Sequence, residues 1–511
     1  MTKKNKEIDE EEGENVRPVD EDPEVKYERE RAEEEIQQKM GKIPKLKEVH
    51  ETYRKWLHIE DLKRIDMGLA LALTRKMRGT PVWIILVGPS GDFKSEQIMA
   101  LDQDFSYRID RLTSKTLISG LPKVEDLAPQ FYAEYERMVL IPDMAQLLKL
   151  PVQEKAEVWA QLRNLYDGSL SQNFGSGKGK VFYDGLRITL LAGSTPHIDN
   201  QILIYQDLGT RELIYRTEAI RDYDALIKKV LMNENEEVKM REELYGITEK
   251  FLKFKTIKKK LLDEKIIDKL WRYIEFLTYM RAAADVDNFS GEVISDVSVE
   301  KPTRCFKQLK RLYVALMSLE EGYSEEQAFD VIKHIVLSSS SQNRCRVYRY
   351  LREIQERERQ AQFKMSVYRV AEDLRLGKKT VFKELNILNN LGLIMHEVEE
   401  LGYGKTKDTY YFDPEQCKVI ENFKPLIVER EAAKNASISK SAKKTAEKVE
   451  EEIKDDVERA LSDGEKELAK KGQEQLKVKK EESNEEKGLD SGKVENNEMK
   501  GGELAQSSKN E

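Results

Sequence analysis

Large apolar side chains are scarce over the first forty residues, and the pattern then becomes periodic. Between 43 and 78, Trp56, Leu57, Ile59, Leu62, Ile65, Met67, Leu69, Leu71 and Leu73 recur at helical spacing, which predicts one or two helices packed on a sheet. Thr80-Pro81 ends them, because the residue before a proline avoids the helical region. Residues 82–87, Val-Trp-Ile-Ile-Leu-Val, are continuously apolar and rich in β-branched side chains, as in a strand buried on both faces. Further strands are expected at 105–113, at 137–143 and at 186–193. Helices are expected at 151–167, over 222–290, and from Pro302 onward with Phe306, Leu309, Leu312, Tyr313 and Leu316 on one face. Buried strands alternating with helices predict an α/β fold with a parallel sheet flanked by helices.

The last periodic stretch has its own grammar. Val367, Val370, Ala371 and Leu374 predict a helix, Gly377 a turn, and Val381, Leu385, Leu388 and Leu391 a second helix. Strands at 395–399 and 409–412 follow, joined by Leu-Gly-Tyr-Gly-Lys-Thr-Lys. Helix, turn, helix and a two-stranded wing make the pattern of a winged helix. Lys378, Lys379, Lys383, Lys405 and Lys407 are its candidate nucleic-acid contacts; the alternative is a module used only for protein packing.

Charge refines this organisation. Of 511 residues 36% are charged and the net charge is −8. Residues 1–40 carry −7 and residues 430–511 carry −3, so the middle of the chain is +2. The acidity therefore belongs to the ends and leaves nucleic acid open as a partner of the middle. The expected division is an acidic disordered tail at 1–42, an α/β core at 43–220, a helical lid at 221–350, the winged helix at 360–415 and a disordered charged tail at 430–511. Cys305, Cys345 and Cys417 fit no metal or redox spacing, which suits a reducing compartment. No apolar run approaches membrane-spanning length and no leader pattern is visible, so a soluble, cytoplasmic protein without a membrane partner is expected.

The candidate chemistry gathers where strands end. After the 82–87 strand come Gly88, Pro89, Ser90, Gly91, Asp92, Phe93, Lys94 and Ser95, then Glu96 at the start of a helix. Strand, glycine-containing loop, Lys-Ser and helix form a phosphate-binding loop. Phe93 stands where the G-x-x-x-x-G-K-[ST] pattern has its second glycine. The strand at 137–143 ends in Asp143, either a Walker B carboxylate that holds Mg²⁺ or the N-cap of the next helix. The 186–193 strand delivers Ser194 and Thr195 to the same edge. Between these strands, residues 167–185 hold five glycines with Lys178 and Lys180. They read as a hairpin with a basic tip able to touch a nucleic-acid backbone, or as an ordinary glycine-rich hairpin. Arg211 and Arg216 flank a later strand, and Arg304 sits in the first turn of the helix after Pro302.

Taken in order, these motifs resemble those of AAA+ ATPases over about residues 45–412. The likeness is greatest to the hairpin-bearing clade with the minichromosome-maintenance helicases and to helicase- or primase-associated ATPases of phages and plasmids. The resemblance implies ATP and Mg²⁺ as cofactors, with Lys94 on the β/γ-phosphates, Ser95 and Asp143 on the metal, and Ser194 or Thr195 at the sensor-1 position, where the family has Asn. It implies that Arg211 in Thr-Arg-Glu-Leu is an arginine finger, that Arg304 opens the sensor-2 helix, and that Lys178 and Lys180 grip DNA. An arginine acting in trans implies a homo-oligomer, a ring or an open assembly. Met144 stands where the family carries the water-polarising Glu. Two functions follow as expectations: an ATP-driven DNA translocase or helicase of a mobile element or phage-like replicon, or a nucleotide-dependent DNA-binding assembly factor with slow or no hydrolysis.

Overall fold

A computed structural model describes residues 43–175, 178–199, 210–258, 262–287, 290–358, 363–402 and 405–420, all within one compact unit, residues 1–421. The expected tails at 1–42 and 430–511 and the start of the arginine loop, 200–209, lie outside the described residues.

Five parallel strands form the central sheet: β1 (Trp83–Val87), β2 (Ser106–Arg108), β3 (Met138–Ile141), β6 (Thr189–Ser194) and β7 (Leu213–Arg216). Their spatial order is β2-β3-β6-β1-β7. The strand expected at 105–113 is therefore short, because after Ile109 donates to Leu140 O the chain leaves the sheet and buries Ile109 and Leu112. The strand bearing Ser194 lies between those ending in Gly88 and Asp143, so all three deliver their termini to one edge. Ligands of open parallel sheets bind outside the carboxyl ends, where strand order reverses. Here that place is β1.

Strand residues alternate between the two faces. Trp83, Ile85, Val87, Val139, Ile141, Leu190 and Ala192 point to one side, into a core shared with Trp159, Leu162 and Leu165 of helix α5 (Val152–Asp167). On the other side, Thr74 Oγ1 lies 3.3 Å from Thr189 Oγ1. That contact places helix α2 (Lys63–Thr74) against β6, and Ile65 to Thr74 are buried all round. Helix α1 (Leu46–Trp56) precedes it and buries Leu46, Val49, Tyr53 and Trp56 at helical spacing.

Following strands of the sheet come α3 (Lys94–Met99), α4 (Ala145–Leu148) and the hairpin β4 (Ser169–Asn173)–β5 (Lys180–Asp184). The helical part comprises α6 (Tyr223–Met232), α7 (Glu237–Lys253), α8 (Glu264–Met280), α9 (Thr303–Met317), α10 (Glu325–Ser339) and α11 (Gln342–Glu358). Unpaired backbone groups make an edge strand costly to bury. On β7 they are met by α10: Ile214 N donates to Ser339 Oγ at 2.7 Å and Arg216 N to Ser338 Oγ at 3.1 Å.

The last module is β8 (Met365–Ser366), α12 (Val367–Leu374), α13 (Lys378–Asn390), β9 (Met395–Gly402) and β10 (Lys405–Tyr411), with an antiparallel sheet in the order β8-β10-β9. Val370, Ala371, Val381, Leu385 and Leu388 are buried, matching the spacing read from sequence. Glu384 and Ile387 are also buried, and Arg344 of α11 binds Glu384 at 2.9 Å. Among the described residues no helix is long and apolar enough to cross a membrane.

Candidate phosphate-binding site at the carboxyl edge of the sheet

Gly88 follows β1 in a place with no room for a side chain: a Cβ would lie 2.1 Å from Thr217 Oγ1 and 2.6 Å from Asp92 Oδ2. Thr217 itself continues β7, its N–H donating to Val87 O at 2.8 Å. On the other flank Gly88 N donates to Ser194 O at 3.1 Å. The loop is thus strapped to both neighbouring strands. Pro89, Ser90 and Gly91 form its exposed rim.

Phe93 has φ 52° and ψ 16°, the left-handed conformation. This explains why the loop pattern places glycine there: the turn into α3 needs a positive φ, which costs a side-chain-bearing residue about 1 kcal/mol or more. Comparing two truncations isolates that cost. Phe93→Gly and Phe93→Ala both lose the ring, and only Gly relaxes the backbone. The Gly variant is expected to unfold in urea with about 1 kcal/mol more stability than the Ala variant; equal stability would rule out a left-handed residue 93.

Beneath the loop, Arg64 of α2 is a clamp that sequence reasoning missed. Its guanidinium donates to Asp92 Oδ1 at 3.2 Å, Asp92 O at 2.9 Å and Gln97 Oε1 at 2.7 Å, and all three residues are buried. Glu96 is held from outside by Arg241 of α7 through two bonds of 2.8 and 3.0 Å.

The Lys94 ammonium folds back onto the loop and donates to Gly88 O at 3.0 Å and to Pro89 O. Burial pushes its pKa down, while the carboxylates of Asp92 and Asp143 pull it up. Asp143 therefore stands within electrostatic reach of Lys94, as a shared phosphate site requires. It is exposed, and its Oδ1 also accepts from Ala145 N at 2.8 Å at the start of α4. The cap and the open carboxylate are one residue. Met144 is buried in the core. Ser194 is buried at the end of β6, Thr195 is half-exposed beside it, and Ser95 is exposed on the first turn of α3.

These residues fit a nucleotide and its metal. Lys94 spends its protons on carbonyls that phosphate oxygens can replace. The space above Gly91 is open, with nothing within 4 Å of a Cβ placed there. Ser95 and Asp143 are oxygen donors of the kind Mg²⁺ takes. Among the described residues no three His, Cys, Asp or Glu side chains converge on a metal position.

Arg211 and Arg304 lie elsewhere. Arg304 Nη1 donates to Thr210 O at 3.0 Å, and Gln308 Nε2 donates to Arg211 O at 2.8 Å while its Oε1 accepts from Trp83 N at 3.2 Å. Both arginines thus stand at the amino end of the sheet, across the length of β1 from Gly88. Arg211 pairs with Asp167 at 2.8 Å and Arg304 with Glu300 at 3.0 Å. Arg216, at the carboxyl end of β7, makes a two-pronged pair with Asp199 at 2.6 and 3.0 Å.

The hairpin differs from the expected pair of gripping lysines. Lys178 is tied down, its ammonium donating to Asp126 at 2.6 Å and to Ser119 O at 3.0 Å. Lys180 is exposed, with the exposed Phe182 two residues on along the same strand. In the last module Lys378 lies over the Tyr368 ring at 4.2 Å and Lys407 pairs with Glu399 at 3.8 Å. Lys379 packs near the Gly291 turn, and Lys383 is half-buried. The backbone of Lys405 begins β10. Residues 363–420 carry nine basic and nine acidic side chains, so this module has no net charge.

No protein-family model matches the chain. No curated protein sequence matches it either. Among solved structures the chain is similar to a full-length MCM homolog from Methanopyrus kandleri, with TM-score 0.31 and 15% identity over 64% of this chain and 64% of that one. It is also similar to the apo A form of the NrS-1 C-terminal region, with TM-score 0.29 and 14% identity over 72% of this chain and 76% of that one. The chain thus spans under two thirds of the MCM homolog's length.

Proposed function

We propose that the protein is an AAA+-type, Mg²⁺-dependent ATPase that acts on DNA as an assembly of copies, in the manner of a replication helicase or translocase. The observation that carries this reading is the division of labour across β1. Lys94, Ser95, Asp143 and Thr195 gather at the carboxyl edge, and Arg211 and Arg304 at the other. Lys94 would meet the β/γ-phosphates, and Ser95 and Asp143 would hold Mg²⁺. A bound Mg²⁺ supplies charge neutralisation on the transferring phosphoryl group. Arg211 and Arg304 would complete the site of a neighbouring copy. Lys180, with Phe182 beside it, is the hairpin residue placed to meet a DNA strand by charge and stacking. The 365–411 module is read as a winged helix whose packing role outweighs groove reading.

The wild-type chain is expected to hydrolyse ATP with turnover raised by single-stranded DNA. In Lys180→Ala the DNA affinity falls and the slope of log K against log salt becomes shallower by about one. An unchanged slope returns the hairpin to a purely structural part.

Burial of Met144 favours a second reading. No carboxylate occupies the residue after Asp143, so the protein would be a nucleotide-ordered DNA-binding assembly factor with slow hydrolysis. ATP-dependent assembly without measurable turnover selects that reading over the motor.

A further inference from the structure

The amino edge of the sheet holds a cavity of about 760 Å³, bordered by Gly79–Pro81, by Tyr166 and Asp167, by Gly185–Arg187 and by the start of α9. Four of its lining side chains are basic: Arg187, Lys301, Arg304 and Lys307. Arg304 and Lys307 are three residues apart and share a helix face. The two acids in the lining are committed, Asp167 to Arg211 and Glu300 to Arg304. Lys301 and Lys307 have no carboxylate within ion-pair distance among the described residues. Arg187 is a fixed wall, donating to the backbone oxygens of Gly79, Arg75 and Thr74.

Tyr166 makes this more than a basic surface. Its ring packs edge-on against Trp83 with centroids 5.2 Å apart and is 5% exposed, yet its hydroxyl has no hydrogen-bond partner. Burial raises its pKa far above the ordinary phenol value, so the hydroxyl keeps its proton and can donate a hydrogen bond. A buried donor without an acceptor is costly and needs a partner. The amino end of α9 lies in the same wall. Its cap residue, Pro302, makes no side-chain hydrogen bond to the first turn, and Thr303 lines the cavity.

We propose that this cavity is a second phosphate site, distinct from Gly88–Ser95, that takes the polyphosphate end of a small molecule on Arg304, Lys307, Lys301 and the Tyr166 hydroxyl. Its volume lies in the range of small-ligand pockets. The forked guanidinium and the ammonium groups suit phosphate oxygens. The apolar Pro81 and Leu186 border it. The phosphates come either from a free polyphosphate or from the nucleotide held by a neighbouring copy; only the second source rests on the assembly proposed above.

Calorimetry on full-length Lys94→Ala, held at a concentration where sedimentation shows single chains, separates the two. Tripolyphosphate is expected to bind at one site per chain, and Lys307→Ala and Tyr166→Phe, each added to Lys94→Ala, to weaken it at least tenfold. Tyr166→Phe keeps the ring against Trp83, so its loss of binding reports the hydroxyl rather than the fold. If single chains give no heat, the variants are tested in wild-type assemblies with ATP. A tenfold weaker nucleotide affinity in Tyr166→Phe assemblies then assigns the neighbour's nucleotide as the source. No effect of Tyr166→Phe or Lys307→Ala in either arm overturns the site. Failure of wild-type chains to bind ATP at all would count against the Gly88–Ser95 reading instead.

Discussion

Lys94→Ala and Arg211→Ala should each abolish ATP turnover, and an equimolar mixture of the two should recover about one quarter of it. The reasoning starts from β1. Five residues separate Pro81–Val82 from Gly88, and a strand rises ~3.3 Å per residue. Arg211 is fixed at the far end of that strand through Gln308, too far to reach its own loop. Under the proposed function it would meet phosphates on another copy, through a head-to-tail interface. A complete site then needs Lys94 from one chain and Arg211 from the next. In a random mixture one interface in about four pairs an intact loop with an intact arginine. Removing an arginine that acts on transferring phosphate costs about 10³–10⁵ in rate in related chemistry, so background from the damaged interfaces is negligible. Binding should separate the variants as well: Lys94→Ala loses ATP affinity, whereas Arg211→Ala keeps it in the unassembled chain. Co-assembly without any recovery would remove the head-to-tail arrangement.

The edge that gathers Gly88, Asp143 and Ser194 was legible because each strand announces itself locally, as an apolar β-branched run that stops at a polar or glycine residue. The order of those strands was not. Parallel neighbours are set by crossovers whose contacts span tens of residues, and β6 slips between β1 and β3 without a local sign. Phe93 was visible as a departure, but its meaning came only with a backbone angle. Lys178 shows the opposite limit. Its charge and glycine neighbours suggested a free tip, and its partner Asp126 lies 52 residues earlier, beyond any periodicity. The serine run at 338–341 gave no signal either, since hydroxyls that cap an edge strand are indistinguishable in sequence from a polar loop. Arg64 was hidden for a related reason: a cation inside an apolar helix pattern reads as an interruption until its three acceptors are seen.

The second large effect concerns stability and the last module. Arg344→Met should destabilise the docking of α13 on α11 by about 3–5 kcal/mol, read as a lower urea midpoint and faster hydrogen exchange in both helices. The Arg344 guanidinium binds Glu384 at 2.9 Å, Met280 O at 3.2 Å and Ala282 O at 2.7 Å, with both side chains about 95% buried. Met fills much of the volume, so the loss comes from leaving the Glu384 charge, and with it the Met280 and Ala282 carbonyls, without a donor in a dry site rather than from a cavity. Adding Glu384→Leu to Arg344→Met should therefore recover the part of the loss that comes from the charge, because no buried charge is then left unpaired, while the two carbonyls stay without their donor. If the single substitution costs less than about 1 kcal/mol, the pair is solvated and the module is free to swing. The pair also bears on function. A helix that spends Glu384, Leu385, Ile387 and Leu388 on packing offers a nucleic acid its first turn, Lys378 and Lys379, and the half-buried Lys383. The double variant, stable but without the directional bond, is then the chain in which DNA binding by this module can be measured apart from its hold on α11.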